Sequence, residues 1–557
     1  MSCPAGDRVK RAGAILLFVV LPVCGLRAET IPGLGTATFP TSTHSAVAQQ
    51  DFMHGLLLLH LFEYPDAAKW FVKAEQADPG FAMAYWGEAM TFNHPIWNQL
   101  DEQAGRAALA KFAATPAERS ARIANARERD FMDAVEILYG GEGTKRERDA
   151  KYAAAMERMS RAYPKDDEAQ LFYALALEGE SEGVRDVPRY LKAAAIAKAV
   201  FLRNPRHPGA AHYWIHGMDD PQHAAGALEA ARALSKIAPD AAHAQHMCSH
   251  IFVAMGLWDD VVKANLAATS VVNRHAAEAG RPAVHCGHYN IWLTYGYLQQ
   301  GRLADAKKVM TACRVDAMRA AAERARGKMD PDATELGSVL VMRSHYVMVS
   351  RRWRGEVAGW KEDTGGAVMA GLDDAFTTGF AAAQAGDAAG ARAALATMDA
   401  LLARIPAEFD HAGVPADDPG RSVPGIERME LAAAVEAAEG QMDKAIAGME
   451  QAAAQENGLA FAFGPPWPEK PANEFLGELL LKAKQPRQAR AAFEAALKRA
   501  PRRTESLMGQ ARAESAMGDK AAAAKTYEEL VRIWSHAEPG FAPKAEAERG
   551  AGAGRGE

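Results

Sequence analysis

At 557 residues the chain exceeds what one hydrophobic core usually serves, which leaves either several domains or a repeat stack without a single centre. Abundant alanine, 49% apolar residues and only 8% aromatic ones favour closely packed helices over sheets, so the fold class reads as all-α. With 64 basic against 70 acidic residues, a net charge of −6 and no long basic stripe, the surface lacks the phosphate-neutralising character that nucleic-acid binding needs.

The N-terminus carries Arg8, Lys10 and Arg11, then the apolar run Ala14 to Leu21, then Leu26-Arg27-Ala28. This is the three-part layout of a secretory signal, and cleavage is expected near Ala28. A lipoprotein signal using Cys24 is disfavoured by the bulk of Val23, and the run is too short for an uncleaved anchor. The expected organisation is a signal peptide over 1–28, a linker over 29–47, a repeat region over 48–535 and a flexible tail over 536–557. The mature chain is expected to be exported, periplasmic or secreted, with no membrane span. Removal of the signal takes Cys3 and Cys24 and leaves Cys248, Cys286 and Cys313. That odd number allows one bridge at most and does not identify the pair.

Within 48–81, Gly55, Ala67, Phe71, Ala74 and Pro79 set a pattern of small, small, aromatic, small and proline. It returns at Gly477, Ala489, Phe493, Ala496 and Pro501, and 34 residues on at Ala523, Tyr527 and Leu530. Between these, Ala193, Ala227 and Val261 step by 34, Pro205 and Pro239 are 34 apart, and Gly386 with Ala391 and Gly440 with Ala445 mark further hairpin turns. Small residues let paired helices approach, and the proline stops the second helix. The pattern resembles the tetratricopeptide repeat (TPR), with about nine or ten units, several degenerate. Insertions at Gly140–Arg148, Glu278–His285 and Arg404–Gly420 lengthen individual units. The resemblance implies a TPR-like α-solenoid, a right-handed superhelix of helical hairpins whose first helices line a concave face that binds peptides or proteins.

Ten of the seventeen histidines fall in the central repeats, 207–288. His212 and His216 are four apart, as are His246 and His250, so each pair shares one helix face. His212 to His246 and His216 to His250 are both 34 residues, which places the pairs at equivalent positions of neighbouring repeats. By the TPR resemblance those positions face the groove. Gly256 and Gly301 mark turns 45 residues apart, His243 lies 45 before His288, and His345 falls in register with Tyr295 and His250. Four imidazoles so spaced are compatible with one transition-metal site, copper or zinc, and His243, His285 and His288 are further ligands or groups that orient ligands. His44, His223, His275, His411 and His536 read as isolated surface or hydrogen-bonded residues. Met247, Cys248, Ile251 and Phe252 read as core, and Cys286 offers a thiolate but reads more simply as an apolar free cysteine. Asp219 and Asp220 either orient an imidazole or begin the turn into Pro221, with the turn preferred.

Two further blocks read as structural. Trp86, Glu88, Asn93, His94 and Trp97, with His54 and His60, are assigned to capping and packing at an N-terminal repeat rather than to a wall across the groove. The segment FAFGPPWPEKPANE is assigned to a rigid loop rather than a binding motif. Absence of Cys-x-x-Cys-His disfavours c-type haem, and no phosphate loop, dinucleotide fingerprint, Ser-His-Asp ordering or His-Glu-x-x-His is present. The blocks around NHPIW, HPGAAHYWIHG and HMCSHIF also resemble those of exported bacterial repeat proteins of unassigned role. The reading is an exported TPR scaffold with a histidine-lined, metal-binding concave site. Its alternative is a metal-dependent enzyme using His212, His216, His246 and His250.

Overall fold

The structure, a computed structural model, describes residues 29–181, 184–325, 334–411, 418–461 and 463–553. The segment read as a signal peptide, 1–28, lies outside them, as do the side chain of His411 and part of the Arg404–Gly420 insertion. The chain is an all-α solenoid of TPR-like helical hairpins. Among the described residues the only sheets are two short antiparallel pairs, Glu29–Ile31 with Gly35–Ala37 and Asn93–His94 with Gln99–Leu100. No described helix is long and apolar enough to cross a membrane.

The repeat pattern has a direct steric cause. The first hairpin pairs helix Ala46–His60 with helix Tyr64–Ala77, and the Phe71 ring wedges between Gly55 and Gly87. A Cβ at either glycine would come within 2.9 or 2.3 Å of that ring. Near the C-terminus Phe493 sits the same way between Gly477 and Gly509, where a Cβ would approach to 2.8 and 2.2 Å. The small–aromatic–small spacing is thus a helix-crossing rule, with glycine admitting the ring of the partner helix.

The same rule corrects the C-terminal boundary. In the next unit Tyr527 takes the aromatic place, and Gly550 approaches it so closely that a Cβ would lie 2.1 Å from the ring. Gly550 lies on a helix, Ala542–Ala553, that buries Ala547 and Ala551. The Ala- and Gly-rich composition read as a flexible tail over 536–557 is, as far as Ala553, the small-residue face of one more solenoid helix.

The segment 29–47 is likewise no linker. Its hairpin is pinned to the central repeats, with the Thr36 amide donating to the Arg206 carbonyl at 3.0 Å and the Asp240 amide to the Gly33 carbonyl at 3.1 Å. Gly33, at φ +81°, and Gly35, at φ +107°, permit this approach, since a Cβ at either would lie 2.8 Å from Asp240 or from the Arg206 carbonyl. Phe39 then inserts its ring beside Phe52 (5.1 Å) and Phe131 (5.2 Å).

The solenoid also departs from nearest-neighbour stacking. The C-terminal units fold back onto the turns at Gly256 and Gly301. Trp258 Nε1 donates to the Arg502 carbonyl (3.1 Å), the Thr504 amide to Gln299 Oε1 (2.8 Å) and Trp534 Nε1 to the Gln299 carbonyl (3.0 Å). One apolar core consequently runs from Ile31 through Tyr295 and on to Leu507–Ala551. Both ends of the array close on its middle, and the middle carries the histidines.

Candidate metal centre

Three first helices supply the site: Pro208–Gly217, Ala242–Ala254 and His288–Gln299. Every residue of the first is buried, and so are the first twelve of the second. Their outer faces pack against second helices, and their inner faces against the chain's own returning segments, so neither shows the one-sided apolar stripe of a surface helix. Arg185 caps the C-terminal end of the first helix, donating to the carbonyls of His216 and Gly217 at 3.0 Å each and pairing with Asp220 at 2.7 Å.

The histidines converge as the spacing predicts, but as two sets of three. The ligand nitrogens of His212, His216 and His243 lie within 4.8 Å of one another, and so do those of His246, His250 and His288. Within the sets, His216 Nε2 is 3.1 Å from His212 Nε2, and His246 Nε2 is 3.2 Å from His250 Nε2. Two nitrogens bound about 2.0–2.1 Å from one tetrahedral ion lie about 3.3 Å apart, so the donor set fits such an ion. The two sets abut, with ring centroids of His216 and His250 5.8 Å apart and those of His243 and His246 6.1 Å apart. His288 stands at the exposed mouth, and the other five are buried.

Burial fixes the charge state. Desolvation holds His212 down to about 3, and holds His216, His243 and His246 well below the ordinary histidine value, neighbouring imidazoles adding to the effect in all four. Neutral imidazole is the ligand form.

The opposite ring nitrogens are held from outside. His212 Nδ1 donates to the His60 carbonyl (2.7 Å), His246 Nδ1 to Asn265 Oδ1 (2.7 Å) and His250 Nδ1 to the Asp219 carboxylate (2.5 Å). Each bond leaves Nε2 directed inward with a free lone pair, the arrangement typical of metal-ligating histidines. Asp219 is therefore the orienting group and not merely part of a turn. The turn belongs to Asp220, whose Oδ1 accepts from the amides of Gln222 and His223.

The N-terminal block does wall the site, contrary to the packing role assigned to all of it. Phe62, at φ 57°, occupies a left-handed conformation costly for a bulky residue, and there its ring lies 4.3 Å from His212 and 5.6 Å from both His216 and His243. Trp97 meets His243 at 6.1 Å, and His94 stacks on Tyr64 at 4.0 Å. Trp86 and Glu88 keep the structural role, one packed on Phe131 and the other paired with Lys111. His54 stacks on Trp70.

The loop read as merely rigid is the roof. Phe463 lies 6.4 Å from His216 and 6.3 Å from His250 by ring centroid, and Gly464 packs against Trp292, whose ring in turn lies tilted against His250 at 4.4 Å. Beside Asp219, under Gly464 and Pro466, the remaining space is about 20 Å³, the size of one water.

Other sequence candidates fall outside the sets. His285 pairs with Asp316 at 2.8 Å on a half-exposed surface, and His345 packs behind Tyr295 at 5.1 Å. Cys286 is neither thiolate nor free thiol: it is bridged to Cys313, which anchors the segment entering His288, while Cys248 is buried and free. His223 and His275 pair with Asp220 and Asp240, and His44 and His536 are exposed.

A third group, His60, Glu168 and His207, is completely buried. Here His60 Nε2 lies 2.6 Å and His207 Nε2 2.9 Å from the Glu168 carboxylate, and Tyr213 donates to His60 Nδ1 at 2.8 Å. These are hydrogen-bond separations, the shorter one tighter than two ligands of one ion adopt. The group is a brace for His60, whose carbonyl orients His212. Burial opposes its ionisation, yet the two histidines hold Glu168 well below the usual carboxylate range. Glu168, Asn265, Phe62 and Phe463 were not picked out from the sequence. Only Asn265 carried a signal there, as a polar residue four after Val261 on a second helix.

No family model matches the chain, and no curated protein matches it in sequence. Among solved structures it is similar to the Cut9–Hcn1 hetero-tetramer of the APC/C, at 11% identity over 90% of this chain and 77% of that one, with a TM-score of 0.34. It is also similar to the human IFIT1 dimer with m7Gppp-AAAA (13% identity, 88% and 91% covered, TM-score 0.35) and to yeast Tom70 (12%, 91% and 95%, 0.27). Those scores are low, and the fold assignment rests on the helix pairs and glycine–aromatic contacts above.

Proposed function

We propose that this chain is an exported TPR-like scaffold that binds a transition metal, copper or zinc, through His212, His216, His243, His246, His250 and His288. One observation carries the reading: three of these imidazoles spend Nδ1 on buried acceptors and turn Nε2 toward their neighbours. Packing alone has no need for that orientation, whereas metal ligation does. An all-imidazole set suits either ion. The Cys286–Cys313 bridge supports an oxidising compartment.

A second reading, a metal-dependent enzyme, is favoured by enclosure. The central inner face is roofed by Phe463 and walled by Phe62 and Trp97, where capture of an extended peptide requires an open groove.

The test is metal analysis of full-length protein purified from its native compartment, beside a variant with His212, His216, His246 and His250 replaced by alanine. Stoichiometric copper or zinc in the natural protein and none in the variant is the expected result. Equal content in both places the metal elsewhere.

A further inference from the structure

Resting on the metal-binding reading, we infer that the six histidines hold two ions rather than one shared ion, and that the set His246–His250–His288 fills before the set His212–His216–His243. The two pairs at the heart of these sets look alike in distance, at 3.2 and 3.1 Å, and differ in where their protons can sit.

A neutral imidazole has a single N–H. In the second pair both are committed. Asn265 presents its oxygen to His246 because its own Nδ2 donates to the Val261 carbonyl at 2.9 Å, so His246 must donate from Nδ1. His250 faces a carboxylate, Asp219, and also donates from Nδ1. With both rings neutral, both Nε2 atoms are bare lone pairs pointing at each other at hydrogen-bond distance. Two acceptors so placed repel in a buried site, where little water screens them. A cation between them converts the repulsion into two bonds, and the imidazole of His288, 4.5 Å from that of His246 by ring centroid, completes a three-nitrogen face at the mouth.

The first pair has an alternative. His212 donates Nδ1 to the His60 carbonyl, so its Nε2 is an acceptor. His216 Nδ1 has no hydrogen-bond partner, which leaves its proton free to reside on Nε2 and donate to His212. This pair is satisfied without an ion. A metal entering it must break the N–H···N bond and move the His216 proton to Nδ1, where no acceptor waits, whereas the second set is already in its ligand tautomers. Losing one such bond costs about tenfold in affinity.

The experiment is titration of metal-free, full-length protein with Co2+ and then Zn2+, following the Co2+ ligand-field bands and the heat of binding. The natural protein and the variants His216→Gln and His250→Gln are compared, with helical content checked by circular dichroism. Two equivalents are expected, the first about tenfold tighter. His250→Gln should lose the tight phase and keep one weak equivalent, and His216→Gln should keep the tight phase. If His250→Gln does not fold, His288→Ala at the exposed mouth removes a ligand of the same set and must give the same loss. A single equivalent abolished by either glutamine variant means one shared ion and overturns the inference while leaving metal binding intact. Two equivalents whose tight phase is lost in His216→Gln overturn the order. No binding by the natural protein overturns the metal reading and this inference together.

Discussion

Asp219 offers the sharpest test of the proposed orientation. Its carboxylate is 2.5 Å from His250 Nδ1 and 2% exposed, so the bond is charge-assisted and shielded from water. Asp219→Asn keeps the shape but supplies an amide whose NH2 can donate to Nδ1, moving the imidazole proton onto Nε2 and into the space where a metal would bind. It also removes a negative charge beside a cationic ion. Loss of such an outer partner typically lowers metal affinity 10–100-fold, or about 1.4–2.8 kcal/mol. Competition for Zn2+ against a chromophoric chelator measures this directly. Asp220→Asn is the control, since Asp220 holds Arg185, the turn amides and His223, which belongs to neither histidine set. It should lower the melting temperature and leave affinity within about twofold. Unchanged affinity in Asp219→Asn, or equal losses in both variants, would refute the assignment of Asp219 as orienting group.

Three further outcomes follow from geometry already described. Glu168→Gln removes the anion that His60 and His207 share, and should weaken metal binding at the His212 set by about tenfold without abolishing it, measured by the same competition in a His250→Gln background; undiminished affinity would show that the brace does not reach His212. Gly550→Leu drives a side chain into the Tyr527 ring and should destabilise the C-terminal unit by about 1–3 kcal/mol in urea unfolding, whereas a truly flexible tail would tolerate it. In the metal-free protein His212, at about 3, and His216, His243 and His246, all held low by burial, stay neutral while the unfolded chain takes up protons below about 6.5, so stability should be full above that value and fall as pH drops toward 3. Melting temperatures that do not change between pH 7 and 4 would contradict that burial.

The helices were legible because their signal is local. Gly55 and Phe71, or Gly477 and Phe493, meet within one hairpin, so the residues that make the crossing recur at the repeat length. The histidine pairs were legible for the same reason, each lying on a single helix in step with the next. What the periodicity could not carry is closure. Phe463 meets His216 from nearly half the chain away, Phe62 reaches His212 across the array, and Cys286 finds Cys313 through an insertion that breaks the register. The last helix was missed because alanine and glycine mean disorder when exposed and close packing when a tyrosine lies beneath them, and composition does not distinguish the two.

The clasp between Arg502–Phe541 and the turns at Gly256 and Gly301 changes what can be done to this protein by addition or deletion. An open solenoid accepts another unit anywhere, because each unit answers only to its neighbours. Here an extra 34-residue hairpin between 301 and 502 would carry Arg502 away from Trp258 and Thr504 from Gln299, and the Phe463 loop would no longer sit over His250. The number of repeats is therefore fixed by the need to meet, as the circumference of a ring is fixed by its fastening.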